Sequence, residues 1–394
     1  MKLSKRKLLH RKNKQAREKI LYNEKIEETL TWYEEEIEKN PMDTGLYFAK
    51  AALLIQEGRY NETIKVLNSI IELDPDNEKV WYLKAKTLYE LEKYEEALQS
   101  YDKILYFDVN DERVWYHKGE AFSKLGMYKE AIECYDNAIK IDRNFTEAWL
   151  GRGNALRKLR YEVPIDISEE VKDSSKKILE DALESYSNVT DNKPDIAEAW
   201  HGQGSVLYEL DRLKESLECF DESIKINPDY IQSWYDRGLV EQKLGRDEEA
   251  ISSFETAISN FSQNKDINDY DEWNAVASSY YKLGRYKESL NFYDDILMKH
   301  PSNYHLLEGK GRMLERLGKN KEAILNYSKA VELNPNTVYS RMRIGDILSD
   351  YGDFNAAIKN YNEAVSLEPE LEEVWFKLAE LLTHQNRIKR AKDC

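Results

Sequence analysis

Residues 114–139 read VWYHKGEAFSKLGMYKEAIECYDNAI. Trp115, Gly119, Phe122, Ala131, Tyr135 and Ala138 stand at set distances, with His117 and Cys134 among them. Such a stretch is either the lining of a chemical site or one unit of something that repeats. The rest of the chain decides between the two. Seven of the eight tryptophans, Trp81, Trp115, Trp149, Trp200, Trp234, Trp273 and Trp375, are separated by 34, 34, 51, 34, 39 and 102 residues, the last being three times 34. A period of this size marks stacked supersecondary units.

With that ruler, the residue four after each Trp position is always Gly or Ala, as in Ala85, Gly119, Gly153, Gly238 and Gly311. Sixteen after it, allowing for one insertion, comes another small residue, as in Thr63, Ala97, Ala131, Ser216 and Ala323. Four further on stands an aromatic residue in most units: Tyr101, Tyr135, Tyr186, Phe220, Phe254, Tyr293, Tyr327 and Tyr361, with Leu67 in the first. Pro75, Pro194, Pro228, Pro301, Pro335 and Pro369 close many units. Each unit holds two apolar-periodic helices split by a break such as Leu125-Gly126-Met127. Small residues let two helix backbones cross closely, the Trp and Tyr/Phe side chains fill the spaces beside them, and proline suits a helix boundary. One helix pair cannot bury both faces, whereas stacked pairs share a continuous core.

The sequence resembles the tetratricopeptide repeat (TPR) family, whose signature spacing of Trp, Gly, aromatic, Ala, aromatic and Ala is matched by Trp115, Gly119, Phe122, Ala131, Tyr135 and Ala138. The resemblance covers nearly the whole chain. It implies an all-α fold, a right-handed α-solenoid of about nine tandem helix–turn–helix units. The units run 44–77, 78–111, 112–145, 146–196, 197–230, 231–269, 270–303, 304–337 and 338–371. A basic arm, 1–23, and a half-repeat helix, 24–43, precede them; 372–394 begins a further unit that stops early, leaving the apolar face around Leu378 and Leu382 open to a short cap or to self-association. At the recurring positions the residues are skeleton, and Trp→Ala there is expected to cost about 3–5 kcal/mol, the range for emptying a large buried pocket.

Two units break the period. An insertion near 160–177, RYEVPIDISEEVKDSSKK, falls between the helices of the fourth unit, where Pro164 stops one helix and Asp166 to Glu170 look like the start of a lengthened second. A shorter break covers Asn260 to Asp266. The first is a tolerated surface insertion or a partner-specific protrusion; the second lies between the sixth and seventh units, where it is placed to bend the stack.

Composition agrees with a helical, water-facing protein. Of 394 residues, 41 % are hydrophobic and 34 % charged, while glycine (16) and proline (8) are scarce. Residues 1–19 carry nine basic residues against Glu18 alone, a charge of +8 in a chain of net charge −16. That arm is a solvated tail, a strap on the acidic remainder of its own chain, or a contact for nucleic acid or an anionic membrane surface. No apolar run has the length of a membrane span or the pattern of a secretory signal, and three cysteines make no disulfide framework. The expectation is a cytoplasmic protein.

Nothing in the sequence argues for an enzyme. No two of the six histidines share the one-turn spacing of a zinc enzyme, and Cys134, Cys219 and Cys394 fall where the repeat puts them, units apart. Asp74 to Glu78 lacks the glycine and closing Glu of a calcium loop; Leu317-Gly318-Lys319 lacks the upstream glycine and the Ser/Thr of a phosphate loop. No cofactor, metal site or catalytic residue is expected.

What the resemblance implies instead is a scaffold that binds other proteins in a concave groove lined by first helices. On that reading the groove residues are Phe48, Tyr82, Tyr89, Tyr116, His201, Tyr208, Tyr235 and Tyr281, with charges at Glu308 and Arg312. Aromatic rings with polar tips are efficient anchors for a peptide or helix; equally, they fill space against their own neighbours. The family's chaperone-binding clamp is absent, since of Tyr116, Glu120, Leu150, Asn154, His201 and Ser205 only Asn154 fits it. So is the asparagine ladder of members fused to sugar transferases, whose slots here hold residues such as His117, Gly151 and Asp236.

Overall fold

The computed structural model describes the backbone of residues 2–162, 169–263 and 270–384, and side chains over 21–161, 173–261 and 270–383. Within them are twenty helices and no strand. A 38-residue helix, α1 (Lys2–Lys39), comes first and runs through the basic residues of the arm. Then follow α2 (Thr44–Gln56), α3 (Tyr60–Leu73), α4 (Glu78–Glu90), α5 (Tyr94–Phe107), α6 (Glu112–Lys124), α7 (Tyr128–Ile141), α8 (Thr146–Glu162), α9 (Glu169–Asn192) and α10 (Ala197–Glu209). The second half holds α11 (Leu213–Ile226), α12 (Ile231–Lys243), α13 (Asp247–Gln263), α14 (Tyr270–Lys282), α15 (Tyr286–Lys299), α16 (Tyr304–Arg316), α17 (Asn320–Leu333), α18 (Val338–Asp350), α19 (Phe354–Leu367) and α20 (Glu372–His384). The chain divides into two compact units, Met1–Leu210 and Asp211–Cys394. Within each, a helix packs on its neighbours in sequence, the arrangement of a helical solenoid.

Local chemistry sets the helix ends. Asp43, Asn77, Asp111, Asn303 and Thr337 cap first helices, their side chains accepting backbone N–H bonds that the first turn leaves open. Between first and second helices the chain turns through a left-handed residue. Gly58, Gly126, Gly245, Gly284, Gly318 and Gly352 take φ of 68–79° there, and Glu92 (58°) and Asp211 (61°) take the same geometry without being glycine. Residues 163–168 of the expected loop, residues 264–269, which include the end of the second break, and the chain beyond 384 lie outside the described residues. The helix after the first of these, α9, is 24 residues long against 14 for most second helices.

The recurrent small residues have one physical cause. A methyl group built on Gly119 would come within 2.8 Å of the Tyr135 ring, and on Gly151, in the next repeat, within 2.7 Å of the same ring. Tyr186 is held in the same way between Gly153 and Gly202, at 3.0 and 2.4 Å. Each such ring is pressed between the first helix of its own repeat and the first helix of the next, with no room for a Cβ on either side. Phe254, Tyr327 and Tyr361 meet Gly238, Gly311 and Gly345 at 2.6–2.7 Å. All five rings are buried, and Tyr186, Phe254 and Tyr327 are among the largest fully buried side chains.

The tryptophans do something else. The expectation that they fill buried pockets holds for Trp273, which is 4 % exposed; Trp81, Trp115, Trp149, Trp200, Trp234 and Trp375 are only half-buried. Each of these six donates its indole N–H to the carbonyl six residues earlier, at 2.7–2.9 Å. The bond closes the turn between repeats and satisfies a carbonyl that helix geometry leaves open. Where the repeat has no Trp, Arg341 donates to the Pro335 carbonyl at 2.9 Å and Tyr47 to that of Pro41 at 3.2 Å. Beside the staple lies an ionic latch: a cation three after the Trp position pairs with an acid one after the preceding aromatic. Lys118–Asp102, Arg152–Asp136, Arg237–Asp221 and Lys310–Asp294 lie at 2.6–2.8 Å. In the repeat with Ser187 and Gln203 at these positions, a neutral 3.2 Å hydrogen bond replaces the latch.

At the last helix the structure corrects the sequence reading. Leu378 and Leu382 are each 2 % exposed, not open. They join Ile358, Tyr361, Ala364 and Val365 of α19 in one apolar cluster, so α20 turns that face inward onto its predecessor.

Candidate functional site

The first helices carry the residues that the resemblance assigns to binding, and each compact unit holds its own set. In the first unit, Tyr82 on α4 and Tyr116 on α6 lie in one row of rings. Tyr82 meets His117 edge-on at 5.8 Å, His117 meets Tyr116 at 5.1 Å, and Tyr116 meets Phe145 at 5.3 Å and Tyr135 at 5.9 Å. Glu120, one helical turn on, fixes two of them. Its carboxylate accepts the Tyr116 hydroxyl at 3.0 Å, and its other oxygen lies 2.8 Å from His117 Nδ1. Tyr89 packs edge-on against Tyr94 at 5.2 Å. Phe48 rests on the cluster of Ala51, Leu67, Ile70 and Val80.

All these rings are half-buried: one side packs on the chain and the rest reaches solvent. Burial raises the hydroxyl pKa of Tyr82, carries that of Tyr89 to about 12, and raises that of Tyr116 further, with Glu120 adding to the effect. They are therefore neutral hydrogen-bond donors. Tyr208 is also half-buried, whereas His201 is 7 % exposed and offers little surface.

In the second unit Tyr235 packs on Phe254 at 5.7 Å, and Tyr281 on Tyr286 at 5.4 Å with the Arg316 guanidinium 5.4 Å from its ring centre. Further along, aromatic surface gives way to charge. Glu308 on α16 is committed to its own chain, accepting from Thr337 Oγ1 at 2.5 Å and Ser340 Oγ at 2.7 Å, with His305 at 3.6 Å. Arg312, one turn later, is exposed. It lies beside the Tyr293 hydroxyl, and among the described residues no carboxylate pairs with it. Beyond it, a chain of alternating charge crosses α16, α18 and α20: Glu315 pairs with Arg343, Arg343 with Asp346 at 2.7 Å, and Asp346 with Lys377 at 2.8 Å. Tyr327 and Tyr361 donate to Glu315 and Asp346 at 2.5 and 2.6 Å. Sequence reasoning placed Arg312 but missed this network, because its members sit in different repeats at no fixed interval.

Among the described residues, no group of three His, Cys, Asp or Glu is arranged to hold a metal, and no helix is long and apolar enough to cross a membrane. Cys134 and Cys219 are buried, and burial pushes both thiols up to about 12, the opposite of a nucleophile's tuning.

Comparison with known proteins bears on the family. Models of the tetratricopeptide repeat match residues 54–120, 112–145, 231–264 and 275–336, and a TPR repeat model matches 204–245 and 345–385. No curated protein matches the sequence. Among solved structures, YrrB, described as a TPR protein with an unusual peptide-binding site, is 23 % identical, covering 52 % of this chain and 97 % of its own with a TM-score of 0.42. A tetratricopeptide repeat protein from Parabacteroides merdae is 18 % identical over 69 % of this chain and 98 % of its own, with a TM-score of 0.47. MamA from Desulfovibrio magneticus RS-1 is 19 % identical over 48 % of this chain and 96 % of its own, with a TM-score of 0.42. Five family models that together span more than half the sequence, laid over helices stacked by a ring-and-glycine clamp in several repeats, leave one assignment: the chain belongs to the tetratricopeptide repeat family.

Proposed function

We propose that the protein is a non-enzymatic scaffold that binds segments of other proteins along the faces of its first helices. In the first unit the anchors are Tyr82, Tyr89 and Tyr116, with Phe48 before them and Tyr208 after; in the second they are Tyr235, Tyr281 and Arg312. The observation that carries this reading is the state of the tyrosines. Their rings are fixed from beneath by neighbours such as His117, Tyr94 and Phe254, while a minor part of each stays open to solvent. A partner that covers them immobilises little that is mobile beforehand, which lowers the entropy it must overcome. In the second unit the partner supplies an acidic side chain for Arg312, whose planar fork suits a carboxylate.

Affinity capture from native lysate tests this, comparing the wild-type chain with Tyr82→Ala/Tyr116→Ala/Tyr235→Ala and with Arg312→Gln at low and moderate salt. Circular dichroism confirms first that each variant is folded. The expected result is one set of proteins held by the wild type at both salts and lost from the folded triple variant. Capture that survives the substitutions and collapses with salt contradicts the reading and moves attention to the basic half of α1.

A further inference from the structure

One repeat lacks the tryptophan staple and has nothing in its place. In the unit 304–337 the Trp position holds Leu307, whose side chain has no donor, and the carbonyl six residues earlier is that of Pro301. In six other repeats the equivalent carbonyl takes an indole N–H, and in two more it takes the Tyr47 hydroxyl or the Arg341 guanidinium. Among the described residues nothing donates to the Pro301 carbonyl.

A cavity of about 380 Å³ opens at this place, lined from α15, from the turn at Pro301, from α16 and from the second half of α17. Leu307, 7 % exposed, lines its interior. Leu297 is half-buried and Leu333 is 45 % exposed, so they carry the apolar surface out to the mouth. The rest of the slot is as the sister repeats have it. Three after the Trp position stands Lys310, held by Asp294 at 2.6 Å. In the sister repeats Lys84, Lys118, Arg152 and Arg237 lie 5.0–5.9 Å from the ring centres of Trp81, Trp115, Trp149 and Trp234. Lys310 keeps the anchor of Lys118, Arg152 and Arg237 but, with leucine at 307, has no ring of its own repeat to cover. The slot thus retains the acceptor and the cation that an indole uses elsewhere in this chain, and lacks the indole.

We propose that this cavity takes a tryptophan side chain from a segment of a partner protein, its N–H donated to the Pro301 carbonyl and its face set against the Lys310 ammonium. The sister repeats identify the occupant: the same acceptor and the same cation are met there by a tryptophan. A hydrogen bond to a waiting carbonyl and a cation over the ring both favour an indole over a plain apolar side chain. The mouth is rimmed by Lys329 and Glu332, both exposed and without an ion pair among the described residues. The rim therefore carries one charge of each sign, so charge does not select the partner and salt should affect binding little. Because the rim is open to solvent, the chain that carries the tryptophan can lie across it. The slot shares no residue with Tyr235, Tyr281 or Arg312 and does not depend on their role.

A capped peptide with 5-fluorotryptophan between glycine and serine residues, titrated with the full chain, reads binding through its fluorine NMR line. The expected result is a line that shifts and broadens with the wild-type chain at low and moderate salt alike. Leu307→Trp fills the slot from within and should leave the line sharp. Leu333→Ser, at the exposed rim, should weaken binding severalfold. Circular dichroism confirms that each variant is folded; if Leu307→Trp is not, Leu333→Ser decides. The variant Tyr82→Ala/Tyr116→Ala/Tyr235→Ala should bind as the wild type does. A competitor peptide with Phe in place of Trp should need roughly threefold or higher concentration, the effect of one lost hydrogen bond. A line that the wild-type chain leaves unchanged overturns the proposal, as does one that folded Leu307→Trp or Leu333→Ser shifts as strongly as the wild type. Binding lost in the tyrosine variant places the peptide on the first-helix rings and overturns it. Equal competition by the Phe peptide overturns it in favour of any apolar side chain. A peptide that fails where free indole binds overturns it in favour of a small aromatic ligand.

Discussion

Gly202 has no space for a side chain because Tyr186 occupies it: a methyl group there would lie 2.4 Å from Tyr186 Cε1. Tyr186 is fully buried and held on its other side by Gly153, so it has nowhere to retreat. Gly202→Ala should therefore destabilise the fold by about 1–3 kcal/mol despite the better helix propensity of alanine. Denaturant unfolding measures it. A neutral or stabilising result would mean that the ring is not the wedge between these two repeats.

The tryptophan staple separates two contributions. Trp115→Phe keeps most of the ring and removes only the N–H bonded to the Val109 carbonyl at 2.8 Å, so a loss of about 0.5–1.5 kcal/mol is expected. Trp115→Ala loses the packing as well and should cost more, toward about 3 kcal/mol, because the side chain is only half-buried. Equal losses in the two variants would contradict the staple.

Glu92 turns the chain with φ of 58°, where six other repeats use glycine. A side chain there costs on the order of 1 kcal/mol, so Glu92→Gly should raise stability by a few tenths to about 1 kcal/mol once the looser unfolded chain is counted. Asp211 should gain less from the same change, since Asp tolerates this conformation better and Asp211 pairs with Lys243 at 2.7 Å.

Glu308 links stability to acid. Desolvation pushes its carboxyl up, but bonds from His305, Thr337 and Ser340 outweigh that and leave its pKa below the ordinary 4.5. A depressed carboxylate pKa contributes stability that is present above 4.5 and is lost as pH falls through the folded value. Unfolding midpoints should therefore fall with acidification in this range, and by less in Glu308→Gln. An identical acid profile in the two proteins would contradict the assignment.

Cys134 and Cys219 should resist alkylation in the native protein at pH 8 and react together on unfolding, followed by mass spectrometry of the labelled peptides. Burial holds both thiols up to about 12, so the thiolate fraction at pH 8 is small and access is blocked as well. Rapid native labelling of either would show that its repeat opens locally.

The fold was legible because the stack repeats one solution. Gly119, Ala131 and Tyr135 stand in positions that recur down the chain, and each recurrence reports the same close crossing of backbones. The ionic latch was legible in principle as well. Asp102 and Lys118 belong to a recurring pair, one after the aromatic and three after the Trp, but charged residues are common enough on helices for the pattern to pass as ordinary surface. The tryptophans were misjudged because bulk suggests burial, whereas their N–H groups hold turns at the surface. Leu378 was misjudged for another reason: a truncated unit suggests an open face, yet α20 has α19 beneath it. The candidate site was legible only as positions. Which rings face outward was set by contacts such as Tyr82 with His117, which join side chains of different repeats and leave no trace in spacing.

The most direct test of the scaffold reading is hydrogen exchange of the full chain, alone and with an acidic peptide selected on it from a random library. Binding along the first helices predicts slowed exchange in α4, α6, α12 and α16, with Arg312→Gln abolishing the effect on α16. Protection confined to the second helices, such as α3, α5 and α17, would contradict it.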